Sequence, residues 1–425
     1  MNYKKLIISA LLAMVLQASA QEPVYVGGDI SLLPKYEEQG ATYFDKDGKS
    51  IKDVLVFLKE QGWNTIRVRL FVNPSGADKA VCQDLAYVKK LGKRIKDAGL
   101  NFMLDFHYSD TWADPGQQIT PQLFMTVNTP VFEYIYDYTK ESLEALVAAG
   151  ATPDLIQTGN EISFGMLWDS CKIGPKSEND WSDYSNEGWD NLAKALKNAS
   201  KACREVCPQA KIIIHTEQCA NNPTLDVAFY NRVKSYGIDY DIIGVSYYPY
   251  FKGPLSNLDK GLTQLEANFP EKQIQLVETG YPSKWAVNGT TYDYTKTYPY
   301  SPEGQRKYTA DLITMLKKHQ QVNGLNWWYA EANAKGCKGS LEYDWYNASL
   351  FNHDIDHENE RGRALPALYE LKNFVGGGSG LSHISIDRQF PDDWYTIDGL
   401  RTLSGPSKSG IYIHHGQKVA LRKML

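Results

Sequence analysis

The sequence predicts an α/β fold, a (β/α)8 TIM barrel, for most of the chain's 425 residues. Short apolar runs rich in β-branched residues alternate with longer amphipathic runs between Val24 and Val375, which is the pattern of strands and helices in βα units. Eight such units close this barrel, and a segment of roughly 350 residues fits it with long loops. A doubly wound open sheet is the alternative, but no Gly-rich phosphate loop follows the first apolar run.

Each predicted strand is a short apolar run bounded by polar or turn-forming residues. The predicted strands are Val24–Ile30, Asn64–Phe71, Asn101–His107, Asp154–Asn160, Lys211–His215, Tyr240–Tyr247, Gln273–Glu278 and Gly324–Trp328. Helical periodicity is clear between them at Asp84–Ala98, Val131–Ala149, Asn191–Val206 and Arg306–Gln320. In such a barrel the carboxyl ends of all strands meet at one face, where we expect the functional site.

The first 20 residues have the three parts of a secretory signal peptide. Lys4 and Lys5 precede an apolar run from Leu6 to Leu16, and small residues follow up to Ala20. We expect cleavage after Ala20, a mature barrel over residues 21–375, and export to the periplasm, the cell surface or the medium. The apolar run is shorter than the ~20 residues that span a bilayer, and no comparable run follows it, so no transmembrane segment is predicted.

The C-terminal part of the chain differs in composition from the barrel. Residues 376–383 begin with Gly376-Gly377-Gly378-Ser379-Gly380, a composition typical of a flexible linker. Residues 384–425 alternate polar and apolar residues at Trp394–Leu400 and Gly410–Val419, which predicts a small β segment. It resembles the C-terminal β modules of exported Bacteroidetes-type proteins that serve sorting or surface retention. A spacer without such a role is the alternative.

Composition excludes several classes of partner. With 43% hydrophobic and 22% charged residues, the chain is an ordinary globular protein with ample core. Its net charge of −5, without clustered Lys and Arg, excludes a general role in nucleic-acid binding. We expect a monomer.

The six cysteines permit disulfides in an exported chain. Cys171 and Cys219 both follow predicted strands on one face and are the candidate pair. Cys203 and Cys207 resemble half of a metal site, but no second pair with suitable spacing accompanies them. The segment His353–Glu358 is rich in possible ligands for calcium, yet a solvated loop is the simpler interpretation. We predict no metal and no cofactor.

Two glutamates stand where apolar runs end, Glu161 after the fourth predicted strand and Glu278 at the end of the seventh. Glycosidic bonds break through a cation-like transition state that needs a protonated carboxyl for the leaving oxygen and a carboxylate for the sugar carbon. Glu161 is therefore predicted to be the acid/base and Glu278 the nucleophile. A salt bridge or loop hydrogen bond would explain either residue alone, but the pair favours catalysis.

Polar and aromatic residues near the same strand ends are candidates for substrate binding. Arg67 and Arg69 share one face of the second strand, and a buried arginine there could keep Glu278 ionised. Tryptophan and tyrosine rings stack on the flat C–H faces of sugars. The predicted substrate-binding residues are Asn160, Arg69, Asp105, His107, Trp112, Asp114, Gln117, Tyr247, Trp327 and Trp328.

The chain from about Val24 to Val375 resembles glycoside hydrolase family 53, the arabinogalactan endo-β-1,4-galactanases. The matching segments are Gly27–Ser31, Gly62–Arg69 with Asn73 and Pro74, Asp105–Gln117, Gln157–Glu161 with Gly165, Leu167 and Trp168, Ser246–Pro249, and Val277–Pro282. The resemblance implies a retaining mechanism with Glu161 as acid/base and Glu278 as nucleophile. It also implies β-1,4-galactan and galactooligosaccharides as substrates, in pectin degradation.

The chain departs from the family pattern near the groove. Phe71 stands where a Trp is usual, and Asn326–Glu331 replaces an expected Trp-Glu-Pro run. The Asp-rich calcium loop of some bacterial members is not evident in Ala286–Ser301. Another retaining barrel glycosidase, a β-mannanase or cellulase, is one alternative, and a non-catalytic glycan-binding barrel is the other. The absence of a Gly-x-Ser-x-Gly motif disfavours a serine hydrolase.

Overall fold

A computed structural model of the chain describes residues 23–78, 80–333, 346–352 and 361–375, with short backbone segments between 394 and 421. The predicted signal peptide 1–20, the linker 376–383, Cys337 and the segment His353–Glu358 lie outside these residues, so those expectations stay predictions. Across the described residues, none of the helices combines the length and apolar character that a membrane span requires.

Eight parallel strands form a closed barrel, in which each strand pairs with the next and the last pairs with the first. They are β1 Tyr25–Asp29, β2 Thr65–Leu70, β3 Asn101–Phe106, β4 Leu155–Thr158, β5 Lys211–Thr216, β6 Ile242–Tyr247, β7 Gln273–Thr279 and β8 Val322–Trp327. The predicted (β/α)8 fold is confirmed. The fourth strand is shorter than predicted because the backbone turns at Gly159, whose φ of +95° is left-handed, a conformation that glycine adopts without a steric penalty.

Eight principal helices follow the strands. They are α1 Val54–Glu60, α2 Leu85–Asp97, α3 Val131–Ala148, α4 Trp189–Val206, α5 Pro223–Ser235, α6 Leu255–Asn268, α7 Pro302–Leu316 and α8 Pro366–Glu370. Side chains cap several of them, as Asp84 accepts a hydrogen bond from Tyr87 N at 2.7 Å and Ser301 from Gly304 N at 3.0 Å. Such caps satisfy backbone donors that have no partner inside the helix.

Short elements decorate the barrel. Single-turn helices lie at Leu33–Glu38, Gln122–Thr126 and Pro249–Lys252. Two-stranded pairs are formed by Tyr43–Phe44 with Ser50–Ile51, by Gly165–Met166 with Cys171–Lys172, and by Pro175–Ser177 with Asp180–Tyr184. The last two pairs lie between β4 and α4, in the segment that follows the strand preceding Glu161.

The interior of the barrel changes from apolar to polar along the strands. At its base, Met103, Leu155 and Ile213 belong to a buried apolar cluster with Tyr25, Ile242 and Val277. Two residues further along the same faces of β3, β4 and β5 are Asp105, Gln157 and His215, all fully buried. Since alternate residues of a strand face the same side, the apolar base supports a polar layer beneath the carboxyl-end face.

The chain divides into two compact units, Met1–Gly376 and Gly377–Leu425. The described backbone of the second unit is a four-stranded antiparallel sheet in the order Arg401–Thr402, Trp394–Thr396, Gly410–His414 and Gln417–Leu421. Its role in sorting stays a prediction.

The expected disulfide between Cys171 and Cys219 is wrong, because both are free, buried thiols. Cys219 packs against α6 at Gly261. A Cβ atom added to Gly261 would lie only 2.0 Å from the Cys219 carbonyl oxygen. Cys171 lies in one of the two-stranded pairs, and burial raises the pKa of its thiol to about 12. Cys203 and Cys207 are also buried and free, and no group of metal-ligating side chains occurs among the described residues.

Candidate active site

A cavity of about 400 Å³ opens at the carboxyl ends of the strands. It is lined by Arg69, His107, Trp112, Ala113, Asp114, Pro115, Gln117, Asn160, Glu161, Glu217, Tyr248, Phe251, Lys252, Glu278 and Trp328. The two predicted catalytic glutamates therefore face the same space. Nine of the twelve predicted site residues line it.

Glu278 is held by two donors inside the polar layer. An Arg67 Nη2 atom lies 2.8 Å from Glu278 Oε1, and the Tyr248 hydroxyl donates to Oε2 at 2.9 Å. Burial raises the pKa of Glu278, whereas Arg67 and the Tyr248 hydroxyl act in the opposite direction. Both donors stabilise the ionised carboxylate, which is the form that a nucleophile needs.

Arg67 pairs with two further carboxylates besides that of Glu278. Its guanidinium also lies 3.1 Å from Asp29 Oδ2 and 2.8 Å from Asp105 Oδ2, and all of these groups are buried. A buried arginine can be tolerated when its charge is paired and its donors are used. The sequence predicted that an arginine of β2 would keep Glu278 ionised, and the structure brings Arg67 rather than Arg69 to that carboxylate.

Glu161 has a different environment. It follows β4 in a left-handed conformation with φ +50°, and its side chain is half-buried. Burial raises the pKa of Glu161 well above its usual value, and the negative charges of Glu278 and Glu217 raise it further. Arg67 and Tyr248 stabilise the carboxylate of Glu278, whereas the neighbouring negative charges favour the protonated form of Glu161. This difference favours a proton donor at Glu161 and a carboxylate at Glu278, the two forms that cleavage of a glycosidic bond uses.

His215 fixes the backbone at Glu161. The Glu161 amide donates to His215 Nδ1 at 3.3 Å, and His215 Nε2 lies 2.7 Å from Ser246 Oγ. Burial lowers the pKa of His215 well below its usual value, with Arg67 adding to the effect. The ring is therefore neutral, and its two nitrogens contact the Glu161 amide on one side and the Ser246 hydroxyl on the other.

One wall of the cavity is aromatic. The Arg69 guanidinium lies 5.0 Å from the ring centre of Trp112 and 5.8 Å from that of Trp328, and the two indoles are 6.3 Å apart. Asp29 pairs with Arg69 at 3.1 Å, and Asp78 accepts from the Trp112 indole nitrogen at 3.0 Å. These contacts hold two flat faces in place, which suits a ligand with sugar rings.

The family model described as glycosyl hydrolase family 53 matches residues 25–371. The chain belongs to glycosyl hydrolase family 53. An arabinogalactan endo-β-1,4-galactanase of Cellvibrio japonicus (strain Ueda107) is 31% identical over 397 residues, which cover 87% of this chain and 97% of that protein. An uncharacterized protein in the bgaB 5′ region of Niallia circulans is 34% identical over 361 residues, covering 82% and 94%.

Solved structures support the family assignment. The GH53 catalytic domain of Ignisphaera aggregans matches with a TM-score of 0.70 at 28% identity, covering 84% of this chain and 97% of that one. A structure described in a comparison of two fungal β-1,4-galactanases matches with a TM-score of 0.68 at 28% identity, covering 82% and 98%. This chain is therefore a glycoside hydrolase built on the same barrel.

Three predicted substrate-binding residues of this family 53 chain do not line the cavity, so those predictions are wrong. Asp105 lies beneath the cavity and holds Arg67. Burial would raise the pKa of Asp105, but Arg67 and His107 outweigh it and lower the pKa. Tyr247 and Trp327 are fully buried, and they donate to the carbonyl oxygens of Gly253 and Ala348, both at 2.7 Å. Their chain neighbours Tyr248 and Trp328 line the cavity instead.

Other predicted residues combine exposure to the cavity with structural contacts. Asn160 accepts from Arg67 at 2.9 Å and donates to the Ala113 carbonyl at 2.8 Å, so its amide also fixes the loop. Asp114 accepts from Gln117 Nε2 at 3.1 Å within a turn. His107 Nε2 lies 3.1 Å from Asp105 Oδ2.

Glu217 and Lys252 were not predicted from the sequence as site residues. Glu217 directly follows β5, Lys252 ends the short helix after β6, and both line the cavity. Glu217 carries the same signal that identified the catalytic pair, an acidic residue at the end of an apolar run. Lys252 had no such signal, because it lies five residues beyond the end of its strand.

Proposed function

We propose that this family 53 enzyme is an endo-acting β-1,4-galactanase that cleaves galactan with retention of configuration. One observation carries the proposal: Glu161 and Glu278 face one cavity, where Arg67 and Tyr248 stabilise the carboxylate of Glu278 while burial and neighbouring carboxylates raise the pKa of Glu161. The substrate is suggested by the relatives that are described as arabinogalactan endo-β-1,4-galactanases. Because a polysaccharide does not cross a membrane, we also propose that the enzyme acts outside the cytoplasm.

In a two-step displacement the two glutamates act in turn. In the first step a Glu278 oxygen bonds to the anomeric carbon, the glycosidic bond breaks, and the Glu161 proton goes to the leaving oxygen. In the second step the ionised Glu161 takes a proton from water, the water oxygen bonds to the anomeric carbon, and Glu278 leaves as a carboxylate. Glu161 ends protonated, ready for another cycle. Arg67 and Tyr248 hold Glu278 in place during both steps.

The proposal is tested by substrate choice and by two isosteric variants. The wild-type enzyme should cleave potato galactan in preference to mannan and cellulose, and proton NMR should first show the β-anomer at the new reducing end. Glu161→Gln and Glu278→Gln should each lower kcat on galactan by at least ~10²–10⁴-fold, the usual contribution of a positioned acid or base. Glu187→Gln, an exposed acid outside the cavity, is the matched control and should be unchanged.

Each alternative gives a different result. Turnover of mannan or cellulose with little on galactan would identify another retaining glycosidase. Binding of galactan with no turnover by the wild-type enzyme would indicate a glycan-binding barrel. An α-anomer as the first product would contradict retention.

A further inference from the structure

The cavity contains a third acidic residue that the catalytic mechanism does not use. Glu217 is fully buried and lines the cavity. Its Oε1 accepts from Gln218 Nε2 at 2.6 Å, while Oε2 is buried and has no hydrogen-bond partner among the residues that the structure describes. A buried carboxylate oxygen without a donor is costly. A ligand that brings hydroxyl donors into the cavity would remove that cost.

Glu217 lies on the side of the cavity that belongs to Glu161. Strand β5, which leads to Glu217, pairs with β4, which leads to Glu161. Among the groups that shift the pKa of Glu161, Glu217 raises it and Lys252 lowers it. The charges that act on Glu278 are different, since they come from Arg67, Asp105 and Asp29.

This division of the cavity assigns its two sides to the two sugars of the bond. The nucleophile meets the anomeric carbon of one sugar, and the acid meets the oxygen that stays with the other, the leaving sugar. Groups beside the acid and away from the nucleophile's arginine are therefore on the leaving-sugar side. Glu217 has this position by its strand, and Lys252 lines the same cavity close enough to Glu161 and Glu217 for its charge to lower the pKa of both.

We propose that Glu217 and Lys252 form the binding site for the leaving sugar, with Glu217 accepting hydrogen bonds from its ring hydroxyls and Lys252 donating to one of its oxygens. This inference rests on the proposed function. In a β-1,4-linked galactan, oxygen 4 of the leaving sugar is in the bond that breaks, so its other hydroxyls are available. A carboxylate accepts only and an ammonium donates only, so the pair matches both properties of a hydroxyl.

The first experiment compares two substrates that differ in the leaving group. Galactotetraose leaves a sugar, whereas 4-nitrophenyl β-galactobioside leaves a phenolate without ring hydroxyls. Glu217→Gln keeps the shape of the side chain and replaces one acceptor oxygen with a donor. We expect it to lower kcat/KM on galactotetraose ~10–100-fold, at least ~10-fold more than on the aryl substrate. Lys252→Met should show the same difference, and Glu187→Gln should affect neither substrate.

A second experiment separates binding of the sugar from an effect on the Glu161 proton. The glycosyl-enzyme is trapped with a 2-deoxy-2-fluoro galactoside, and its reactivation is timed in buffer and with added galactobiose. Both reactions use Glu161 as base, but only galactobiose occupies the leaving-sugar side. The Glu217→Gln enzyme should reactivate in buffer and lose most of the acceleration by galactobiose.

The outcomes distinguish this inference from the function on which it rests. If the wild-type enzyme cleaves neither galactose substrate, the proposed function fails and the inference fails with it. If the wild-type enzyme cleaves both, and Glu217→Gln loses equal activity on both and keeps its response to galactobiose, only the inference is overturned. Aryl-substrate activity also shows that the variant is folded.

Discussion

The hydrogen bond from Tyr248 to Glu278 should influence how kcat/KM falls at low pH, the acid limb of the pH profile. Tyr248→Phe removes the hydroxyl that lies 2.9 Å from Glu278 Oε2 and leaves the ring. That hydroxyl stabilises the ionised carboxylate, so its loss raises the pKa of Glu278. Since Glu278 must be ionised to attack, the variant should lose activity at low pH.

The size of the shift follows from the strength of the bond. A hydrogen bond to a charged group contributes about 1.5–3 kcal/mol, and one pKa unit corresponds to about 1.4 kcal/mol. The acid limb of kcat/KM should therefore move up by roughly 1–2 pH units. Arg67, which also contacts Glu278, stays in place in the variant, so the carboxylate should still form at higher pH.

The assay is kcat/KM on a galactooligosaccharide from acid to alkaline pH, for wild type and Tyr248→Phe. The matched control is Tyr281→Phe, which removes a hydroxyl that donates to the Tyr298 carbonyl at 2.7 Å, outside the cavity. The control should keep the wild-type acid limb. An unmoved acid limb in a folded Tyr248→Phe enzyme would refute the reasoning, because it would mean that this hydroxyl does not stabilise the ionised nucleophile.

Three further variants test the polar layer, the aromatic wall and a buried acid. Arg67→Lys cannot serve three buried carboxylates with one ammonium, so urea denaturation should show a loss of about 3–5 kcal/mol in unfolding free energy. Trp328→Ala should raise KM for galactan ~30-fold, because about 2 kcal/mol of apolar contact with the sugar is lost. Trp181→Ala, at a half-exposed tryptophan, should leave KM unchanged. Burial raises the pKa of Asp226 to about 7, so wild-type stability should fall by about 1.4 kcal/mol per pH unit between the unfolded pKa and pH 7. Asp226→Asn should remove that slope, as thermal unfolding across this pH range would show.

The barrel and the shared cavity of Glu161 and Glu278 were predictable because each has a local signal in the sequence. The strands are apolar runs of the right length, and Glu161 and Glu278 are acids at their ends. In parallel barrels the carboxyl ends of the strands meet at one face, so these local signals were enough to predict that the two glutamates face the same space.

Positions near the strand ends were less predictable because the alternation of faces fails there. The pairing of β6 with β7 shifts between Val245 and Ser246, and Val277 has no partner in that register. As a result Val277 packs in the barrel interior although the next residue, Glu278, faces the cavity. Counting alternate residues along the sequence cannot detect such a bulge. The same irregularity occurs between β7 and β8, where Trp328 rather than Trp327 reaches the cavity.

The disulfide prediction failed for a related reason. The sequence indicated that Cys171 and Cys219 follow strands on one face, but not which helix covers each of them. Packing of α6 against Cys219 depends on Gly261, a residue 42 positions later in the chain. Such contacts are decided by tertiary packing.

The guanidinium of Arg67 joins Asp29 on β1, Asp105 on β3 and Glu278 on β7 to its own strand β2. Four of the eight barrel strands thus contact one buried guanidinium, and they lie on both sides of the pairing between the last strand and the first. Separating β8 from β1 would pull Arg67 and its carboxylate partners apart and leave buried charges unpaired. The reacting carboxylate is therefore aligned by closure of the barrel itself, and inactivation by heat should coincide with the collapse of the whole cylinder.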